Sequence, residues 1–415
     1  MAAPMEVIIS TDGAGQLWNA CVWDMNTGTS LAVYKGGGDS TGHSLSMISG
    51  QYLISAASSK PLVHLWTLQT RDERLLRMVL PGRVTALDVT PDGNYCIVAI
   101  SERIHIWQLC TGNLLGVVTR HYQNVSCLKV VDDGNTFVSG GEDNLVIVWS
   151  LASIFSEQMN QTSKVDPEHV WTSHALPITD LHVGRGGARS RIVSSSLDQT
   201  CKLWDLSSGQ LLCTFIFDVS IMSVTMDTTE FRLFAGGSNG TIYTVNLYAE
   251  PVQSERHFPT WDSRGTAKFS GHSKQVTCLR VSLDGTKLVS GSHDCTARVW
   301  DVTSGQCVKT LSHKGPVTNV LVELTPPSLI DPELKPNLPI KQFKRNLESG
   351  LAGPAGDSER VLNIQIKSHK EKSESYQAED ANAELRKEIS KLKSINQKMY
   401  TFAVNEILHK TDKVS

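Results

Sequence analysis

The chain has 415 residues and a formal net charge of −3 at pH 7, with 40% hydrophobic and 20% charged residues. This composition is typical of a soluble globular protein, and so small a net charge does not favour nucleic acid or membrane as the main partner. No apolar run reaches the roughly 18 residues of a membrane span, so no membrane partner is expected. The N-terminus has no basic region followed by an apolar core, so no signal peptide is expected. The nine cysteines form no CxxC pair, which favours reduced thiols over disulfides or zinc ligands.

A repeat of about 40 residues runs through most of the chain. Its phase is marked near the end of each copy by Trp23, Trp66, Trp107, Trp149, Trp204, Val245 and Trp300. The successive gaps of 43, 41, 42, 55, 41 and 55 residues match a propeller period of about 40–45 residues, with two insertions. Within each copy, short runs of alternating apolar residues are separated by turn sequences, a pattern that predicts an antiparallel meander. The sequence therefore predicts an all-β propeller with seven blades.

The seventh copy, residues 271–305, opens with Gly-His and closes with Trp-Asp before its last turn, and it resembles the WD-repeat family. The resemblance implies a four-stranded blade held by a hydrogen-bonded tetrad, in which a buried indole N–H finds an acceptor. Three copies carry a full tetrad at the matching positions: His121, Ser139, Asp143 and Trp149; His174, Ser194, Asp198 and Trp204; and His272, Ser290, Asp294 and Trp300. A structural role is favoured over a hydrolase triad, because no G-x-S-x-G elbow surrounds Ser290.

The other copies depart from the pattern. The third, which contains Trp107, keeps its strands but has no tetrad His or Asp. In the sixth, Val245 replaces the tryptophan and Asn239 replaces the aspartate, so we expect that blade to be held mainly by its apolar faces. The first copy is one strand short. Residues 316–324 carry an extra strand pattern after the seventh copy, and we predict that they complete the first blade and close the ring with strands from both ends.

Two insertions follow the third strand of the fourth and sixth copies, so both should emerge on one face of the propeller. Insertions on one face often form a binding surface, although tolerated surface loops explain them equally well. Phe258 and Trp261 in the second insertion are candidate partner-binding residues, since exposed aromatic side chains are common interface anchors.

The pattern changes after the propeller, which we place at residues 1–324. Residues 325–373 are rich in Pro and Gly and are interpreted as a linker or an extended peptide that folds on a partner. The basic cluster near Lys341 is compatible with a weak nuclear signal, but a solvated linker is the favoured interpretation. Residues 374–411 predict a coiled-coil helix. Its heptad seam is Leu385, Ile389, Leu392, Asn396, Met399 and Ala403. Asparagine at a core position fixes register and oligomer number, so self-association is favoured over docking of the helix on the protein's own propeller or on another subunit.

No catalytic dyad, cofactor motif or metal-ligand spacing is found in the sequence, so neither an enzyme nor a cofactor is expected. The Gly-rich run at Gly36 lacks the Lys-Ser/Thr ending of a phosphate loop. The arginine-rich run RGGARS, which contains Arg185, is interpreted as a plain surface turn rather than a phosphate contact.

Several segments together resemble the WD-repeat subunits of Rix-type ribosome-maturation complexes: RHYQNVSCL, FDVSIMSVTMD, SGSHDCTARVWD and KGPVTNV, followed by a Pro-rich linker and a helix. The resemblance implies a non-catalytic scaffold in the nucleus, nucleolus and nucleoplasm, with HEAT-repeat scaffold subunits as partners; an additional cytoplasmic location is left open. It further implies that the protein acts on the pre-ribosomal particle, with an AAA ATPase and a SUMO protease as associates. The heptad seam of the C-terminal helix separately predicts a homodimer. The alternative is a propeller that reads a modified peptide or ubiquitin as an adaptor in chromatin or signalling.

Overall fold

A computed structural model describes residues 6–69, 76–159, 165–248, 254–258, 267–331, 334 and 336–345. Within these residues the strands form seven sheets, which we number as blades 1 to 7. Every blade has four antiparallel strands, and blade 5 carries a fifth strand. The predicted seven-bladed all-β propeller is therefore confirmed. The predicted coiled-coil helix at 374–411 lies outside the described residues, as does the linker beyond Arg345.

The strands of each blade are given from the innermost to the outermost. Blade 1 contains β29 (Val317–Leu324), β1 (Glu6–Asp12), β2 (Ala20–Asp24) and β3 (Ser30–Tyr34), and blade 2 contains β4 (Ser40–Ile48), β5 (Tyr52–Ala57), β6 (Leu62–Thr67) and β7 (Leu76–Val79). Blade 3 contains β8 (Val84–Val89), β9 (Tyr95–Ile100), β10 (Arg103–Gln108) and β11 (Leu114–Thr119). Blades 4 and 5 contain β12 (Val125–Val130), β13 (Thr136–Gly141), β14 (Val146–Ser150) and β15 (His169–Trp171); and β16 (Ile178–Val183), β17 (Arg191–Ser196), β18 (Thr200–Asp205), β19 (Leu211–Phe217) and the added β23 (Glu255–Phe258). Blades 6 and 7 contain β20 (Ile221–Met226), β21 (Arg232–Gly237), β22 (Ile242–Asn246) and β24 (Ala267–Phe269); and β25 (Val276–Val281), β26 (Lys287–Ser292), β27 (Thr296–Asp301) and β28 (Cys307–Ser312).

The innermost strands contact one another in a closed ring, from β4 through β8, β12, β16, β20, β25 and β29 back to β4. Apolar side chains that alternate along the strands fill the space between neighbouring blades. In the cluster between blades 3 and 4, for example, Ile97 and Ile106 pack with Phe137 and Trp149. Burial of one sheet face against the next blade is what makes the repeats mutually dependent.

Blade 1 is built from both ends of the chain. Strand β29 pairs antiparallel with β1, with Ile8 opposite Val322 and Ser10 opposite Val320. The buried side chain of Asn319 extends the connection, since its Nδ2 donates to Thr11 Oγ1 at 2.9 Å and to the Thr41 carbonyl at 2.6 Å. The structure thus has the ring closure expected from residues 316–324, and β1 is left with no open edge.

Part of each insertion folds onto the propeller instead of forming a free loop. The first begins with helix α1 (Leu151–Met159), whose Ile154 is buried against blades 3 and 4. In the second, β23 pairs parallel to β19, so that Phe217 lies opposite Phe258. The described parts of both insertions are therefore anchored by local packing, which period counting could not predict.

The segment after β29 is also docked. Helix α2 (Pro327–Ile330) lies against the β4–β5 turn, where Ser328 Oγ donates to the Gly50 carbonyl at 2.7 Å. Further along, Tyr52 donates its hydroxyl hydrogen to the Leu338 carbonyl at 2.8 Å, and Phe343 is buried. We call the described residues of 326–345 the strap. The interpretation of the segment near Lys341 as a solvated linker is wrong for Phe343. Its apolar ring packs in a hydrophobic site on blade 3, which the basic residues around it did not indicate.

Candidate functional site

The seventh blade contains the tetrad implied by the family resemblance. His272 Nδ1 lies 2.8 Å from Asp294 Oδ2, and its Nε2 lies 2.7 Å from Ser290 Oγ. The indole N–H of Trp300 donates to the same Ser290 oxygen at 2.8 Å. Each polar group of this buried chain has a partner, so the tetrad ties β26, β27, the turn between them and the loop before β25 together without leaving a buried polar group unpaired.

Blades 4 and 5 repeat this geometry. In blade 4, His121 contacts both Asp143 carboxylate oxygens at 3.0 Å and Ser139 Oγ at 2.8 Å, and Trp149 donates to Ser139 at 2.9 Å. In blade 5, the corresponding distances are 2.9 Å for His174 to Asp198, 2.8 Å for His174 to Ser194 and 3.0 Å for Trp204 to Ser194. The twelve residues assigned to tetrads from sequence therefore come together in three separate groups.

The tetrads have the side-chain types of a hydrolase triad but not its accessibility. Ser139, Ser194 and Ser290 are completely buried, and each hydroxyl oxygen already accepts an indole N–H. A nucleophilic serine must reach a substrate carbonyl, and these cannot. Their role is to hold the blade.

A fourth network joins the two ends of the propeller and was missed in the sequence. Ser10 Oγ lies 2.8 Å from His313 Nε2 and accepts the indole N–H of Trp23 at 2.8 Å. His313 precedes β29, whereas Ser10 and Trp23 belong to β1 and β2. One feature of the sequence indicated this network: His313 lies five residues before Thr318, just as His272 lies five residues before Thr277. The serine and tryptophan that complete the network lie some 300 residues earlier in the chain.

Blade 3 replaces the tetrad with the strap. Val98 occupies the position of the tetrad serine and cannot accept a hydrogen bond from Trp107. The indole N–H of Trp107 instead donates to the Lys344 carbonyl at 2.8 Å, and the ring of Phe343 stacks on Trp107 at 5.1 Å with 8° between the planes. Gly112 (φ 72°) allows the approach, because a Cβ there would clash with the carbonyl of Gln342.

Comparisons with known proteins agree with this architecture. The family model described as "WD domain, G-beta repeat" matches residues 112–150, 165–205 and 264–301, which span the three blades with full tetrads. The chain is 46% identical over 376 residues to the Homo sapiens protein named WD repeat-containing protein 18, covering 90% of this chain and 85% of that protein. It is 41% identical over 438 residues to the Bos taurus protein of the same name, covering 99% and 100%. The chain belongs to the WD repeat-containing protein 18 family.

A more distant relative carries a functional name. The Caenorhabditis elegans protein named "Pre-rRNA-processing protein pro-1" is 28% identical over 315 residues, which cover 74% of this chain and 59% of that protein. Because the chain resembles the members of the WD repeat-containing protein 18 family over most of their length, the relationship extends beyond the individual repeats that the family model recognises.

The candidate surface is the face that carries both insertions. The first and third strands of a blade run in the same direction, so the turns that follow them lie on one face of the ring. We call this the insertion face; it includes the turns at Gly50 and Gly112, which the strap contacts, and the two insertions. The strap and both insertions thus emerge together.

The predicted partner-binding and self-association residues have different outcomes. Phe258 is only half-exposed and packs on Phe217 at 5.7 Å and Phe215 at 6.3 Å, so much of its ring is covered by blade 5. Trp261 lies outside the described residues. The same holds for the whole heptad seam, Leu385, Ile389, Leu392, Asn396, Met399 and Ala403.

The described part of the chain contains neither a cluster of metal-ligating side chains nor a membrane-spanning helix. There, no group of three or more His, Cys, Asp or Glu side chains is arranged to hold a metal ion. The helices in the same residues are all too short or too polar to cross a bilayer. All nine cysteines are free thiols.

The tetrads predict a pH-dependent contribution to stability. Burial alone would raise the pKa of Asp294, but hydrogen bonds from Thr296 and His272 lower it to about 2. A carboxylate with a depressed pKa stabilises the fold above its unfolded pKa and loses this contribution as pH falls towards its folded value. Asp294→Asn should therefore cost about 1–3 kcal/mol of unfolding free energy at pH 7, and the difference from wild type should shrink below about pH 4.

Urea unfolding at several pH values measures this difference. Asp166→Asn, which changes an exposed carboxylate in the segment before β15, is the control and should stay close to wild type. A constant penalty for Asp294→Asn from neutral to acidic pH would show that the carboxylate charge does not stabilise the blade.

Proposed function

We propose that this protein is a non-catalytic scaffold subunit of a nuclear Rix-type complex that acts in large ribosomal subunit maturation and pre-rRNA processing. The observation that carries the proposal is membership of the WD repeat-containing protein 18 family, together with similarity to relatives named for pre-rRNA processing. Work on pre-ribosomal particles places the protein in the nucleus, including the nucleolus and nucleoplasm.

The physical form of the propeller supports a docking role. A ring closed by β29 and by the Ser10–His313 contact presents rigid faces built from many turns. Rigid surfaces bind partners without a large ordering cost. The tetrad serines are buried and already hydrogen-bonded, so the fold uses its Ser-His-Asp sets for stability.

We place the HEAT-repeat partner on the insertion face, with the AAA ATPase and the SUMO protease as associates of the assembled complex. The strap contacts blades 2 and 3, and β23 pairs with blade 5. Trp261 follows β23 in the sequence. Trp261→Ala should reduce capture of the HEAT-repeat partner and leave the melting temperature unchanged. Undiminished capture would move the partner to another surface.

The C-terminal seam is proposed to pair two copies about a two-fold axis. Changing Leu385, Ile389 and Leu392 to Asp places charges in the apolar core of the pair, so the mass in solution should halve while the propeller stays folded. Light scattering of the full chain measures the mass. Changing Lys387, Lys391 and Ser394 to Asp alters positions outside the seam and is the matched control. A dimer that survives the seam variant would rule out this mode of pairing.

Depletion of the protein from cells tests the function itself. Precursors of the large-subunit rRNA should accumulate, and the wild-type chain should restore their processing. Unchanged precursors would favour the adaptor function that reads a modified peptide or ubiquitin.

A further inference from the structure

A cavity of about 180 Å³ opens at the end of the central channel on the insertion face. Side chains from four neighbouring innermost strands line it at the same position, the fifth residue of β12, β16, β20 and β25: Lys129, His182, Thr225 and Arg280. Arg185, in the turn after β16, extends the lining to the rim.

Among the described residues, the cations of this cavity form no direct ion pair, and the nearby carboxylates of Asp88 and Asp180 attract Lys129 only through space. In the part of the chain that the structure describes, no carboxylate forms a salt bridge with Lys129, Arg185 or Arg280. Burial and the charge of Arg280 lower the pKa of Lys129. Burial and the charges of Arg280, Lys129 and Arg185 lower the pKa of His182 to about 3. A positive potential is therefore concentrated between blades 4 and 7, where an anion would relieve it.

The acidic side chains of the same cavity are weak competitors. Asp227 accepts hydrogen bonds from Phe231 N at 2.7 Å, Arg232 N at 3.0 Å and Thr229 Oγ1 at 2.9 Å, all within its own turn. Burial raises the pKa of Glu323, which disfavours its charged form. Asp132 lies exposed in the turn after β12, where water screens its charge.

An exposed aromatic pair lies next to the cavity. The turn from Asp227 leads directly to Phe231, whose ring stacks on Tyr248 at 5.5 Å with 22° between the planes. Phe231 and Tyr248 are 41% and 52% exposed, so part of each residue is open to solvent. Arg191 holds the pair, since its guanidinium lies 5.5 Å from the centre of the Tyr248 ring and donates to the Tyr248 hydroxyl at 2.9 Å.

We propose that the channel mouth and the Phe231–Tyr248 pair form a binding site for single-stranded RNA. Lys129, Arg185 and Arg280 would hold phosphate groups, and an unpaired base would stack on the exposed aromatic pair. Cationic grooves next to exposed aromatic rings bind single strands in this way, because every base offers a flat face and every linkage a charge. The arginine-rich turn at Arg185, interpreted from sequence as plain surface, becomes part of the site. The inference rests on the proposed function, which brings the protein to pre-rRNA.

Fluorescence anisotropy of the full chain with a labelled single-stranded RNA of about 12 nucleotides tests the site. Tyr248→Ala should weaken binding about tenfold, the usual effect of losing one stacked base. Lys129→Gln and Arg280→Gln should each reduce the slope of log affinity against log salt by about 0.7, because one fewer phosphate is neutralised. Tyr122→Ala and Arg103→Gln remove an exposed aromatic residue and an exposed cation elsewhere and should bind as wild type.

Three results would overturn the proposal: no saturable binding by the wild-type chain at low salt, equal losses in the control variants, or equal competition by polyglutamate, which would indicate an acidic protein segment as ligand. Melting curves of each variant separate lost contacts from lost folding, and Tyr248 is exposed enough to be replaced safely. If the RNA-binding test fails but rRNA processing still depends on the protein, only this site is rejected. If rRNA processing does not depend on the protein, the proposed function is rejected.

Discussion

A chain that ends at residue 312 is expected to lose cooperative folding. It lacks β29 and His313, so β1 becomes an open edge and the Ser10–Trp23 pair loses its histidine. Val317 and Val320 are buried between blades 1 and 7, and each contributes about 1.5–3 kcal/mol by burial alone. With the strand hydrogen bonds added, the loss approaches the roughly 5–15 kcal/mol by which whole domains are stable.

Circular dichroism melting and size-exclusion chromatography measure this outcome. The truncated chain should aggregate or melt over a broad range, whereas a chain that ends at residue 345 and keeps both β29 and the strap should melt cooperatively. A soluble 1–312 fragment with a sharp transition would show that the ring does not depend on closure by β29.

Phe343→Ala is expected to destabilise the propeller by about 3 kcal/mol, the usual cost of removing a buried aromatic side chain. Phe343 is only 7% exposed and stacks on Trp107, and its neighbour Lys344 provides the carbonyl that accepts the Trp107 indole N–H. Loss of the ring should release the strap and leave that indole without a partner in a blade that has no tetrad.

Urea unfolding of the full chain tests this effect. Gln342→Ala is the matched control, because the neighbouring side chain is exposed and only its backbone approaches Gly112. The control should remain within about 0.5 kcal/mol of wild type. An equally small effect for Phe343→Ala would mean that the strap rests on blade 3 without stabilising it.

The repeating part of the fold was predictable because its determinants are local. The histidine, serine, aspartate and tryptophan of a full tetrad lie within about 30 residues of one another, so one copy such as 271–305 could locate the others. The closing strand was predictable for a similar reason, since residues 316–324 repeat the pattern of an innermost strand.

The contacts that were missed join residues far apart in the sequence. Trp107 and Lys344 are separated by 237 residues, and Ser10 and His313 by 303. His313 repeats the position of His272, but its serine lies at the other end of the chain, where the repeat gives no sign of the pairing. Nothing periodic marks the Lys344 carbonyl, and the Pro-rich composition around Phe343 indicated a linker. Phe258 was singled out as an exposed anchor, yet β23 turns its ring onto Phe217. Among the described residues of this region, Phe231 and Tyr248 are exposed aromatic side chains. Both lie just outside strands, where strand alternation does not predict exposure.

The central claim is that this propeller serves large-subunit maturation as a scaffold, and a depletion-and-rescue measurement of pre-rRNA tests it most directly. Cells depleted of the protein should accumulate precursors of the large-subunit rRNA, detected by hybridisation. The wild-type chain should restore processing, and Asp166→Asn should do the same. Normal precursor levels after complete depletion would contradict this function.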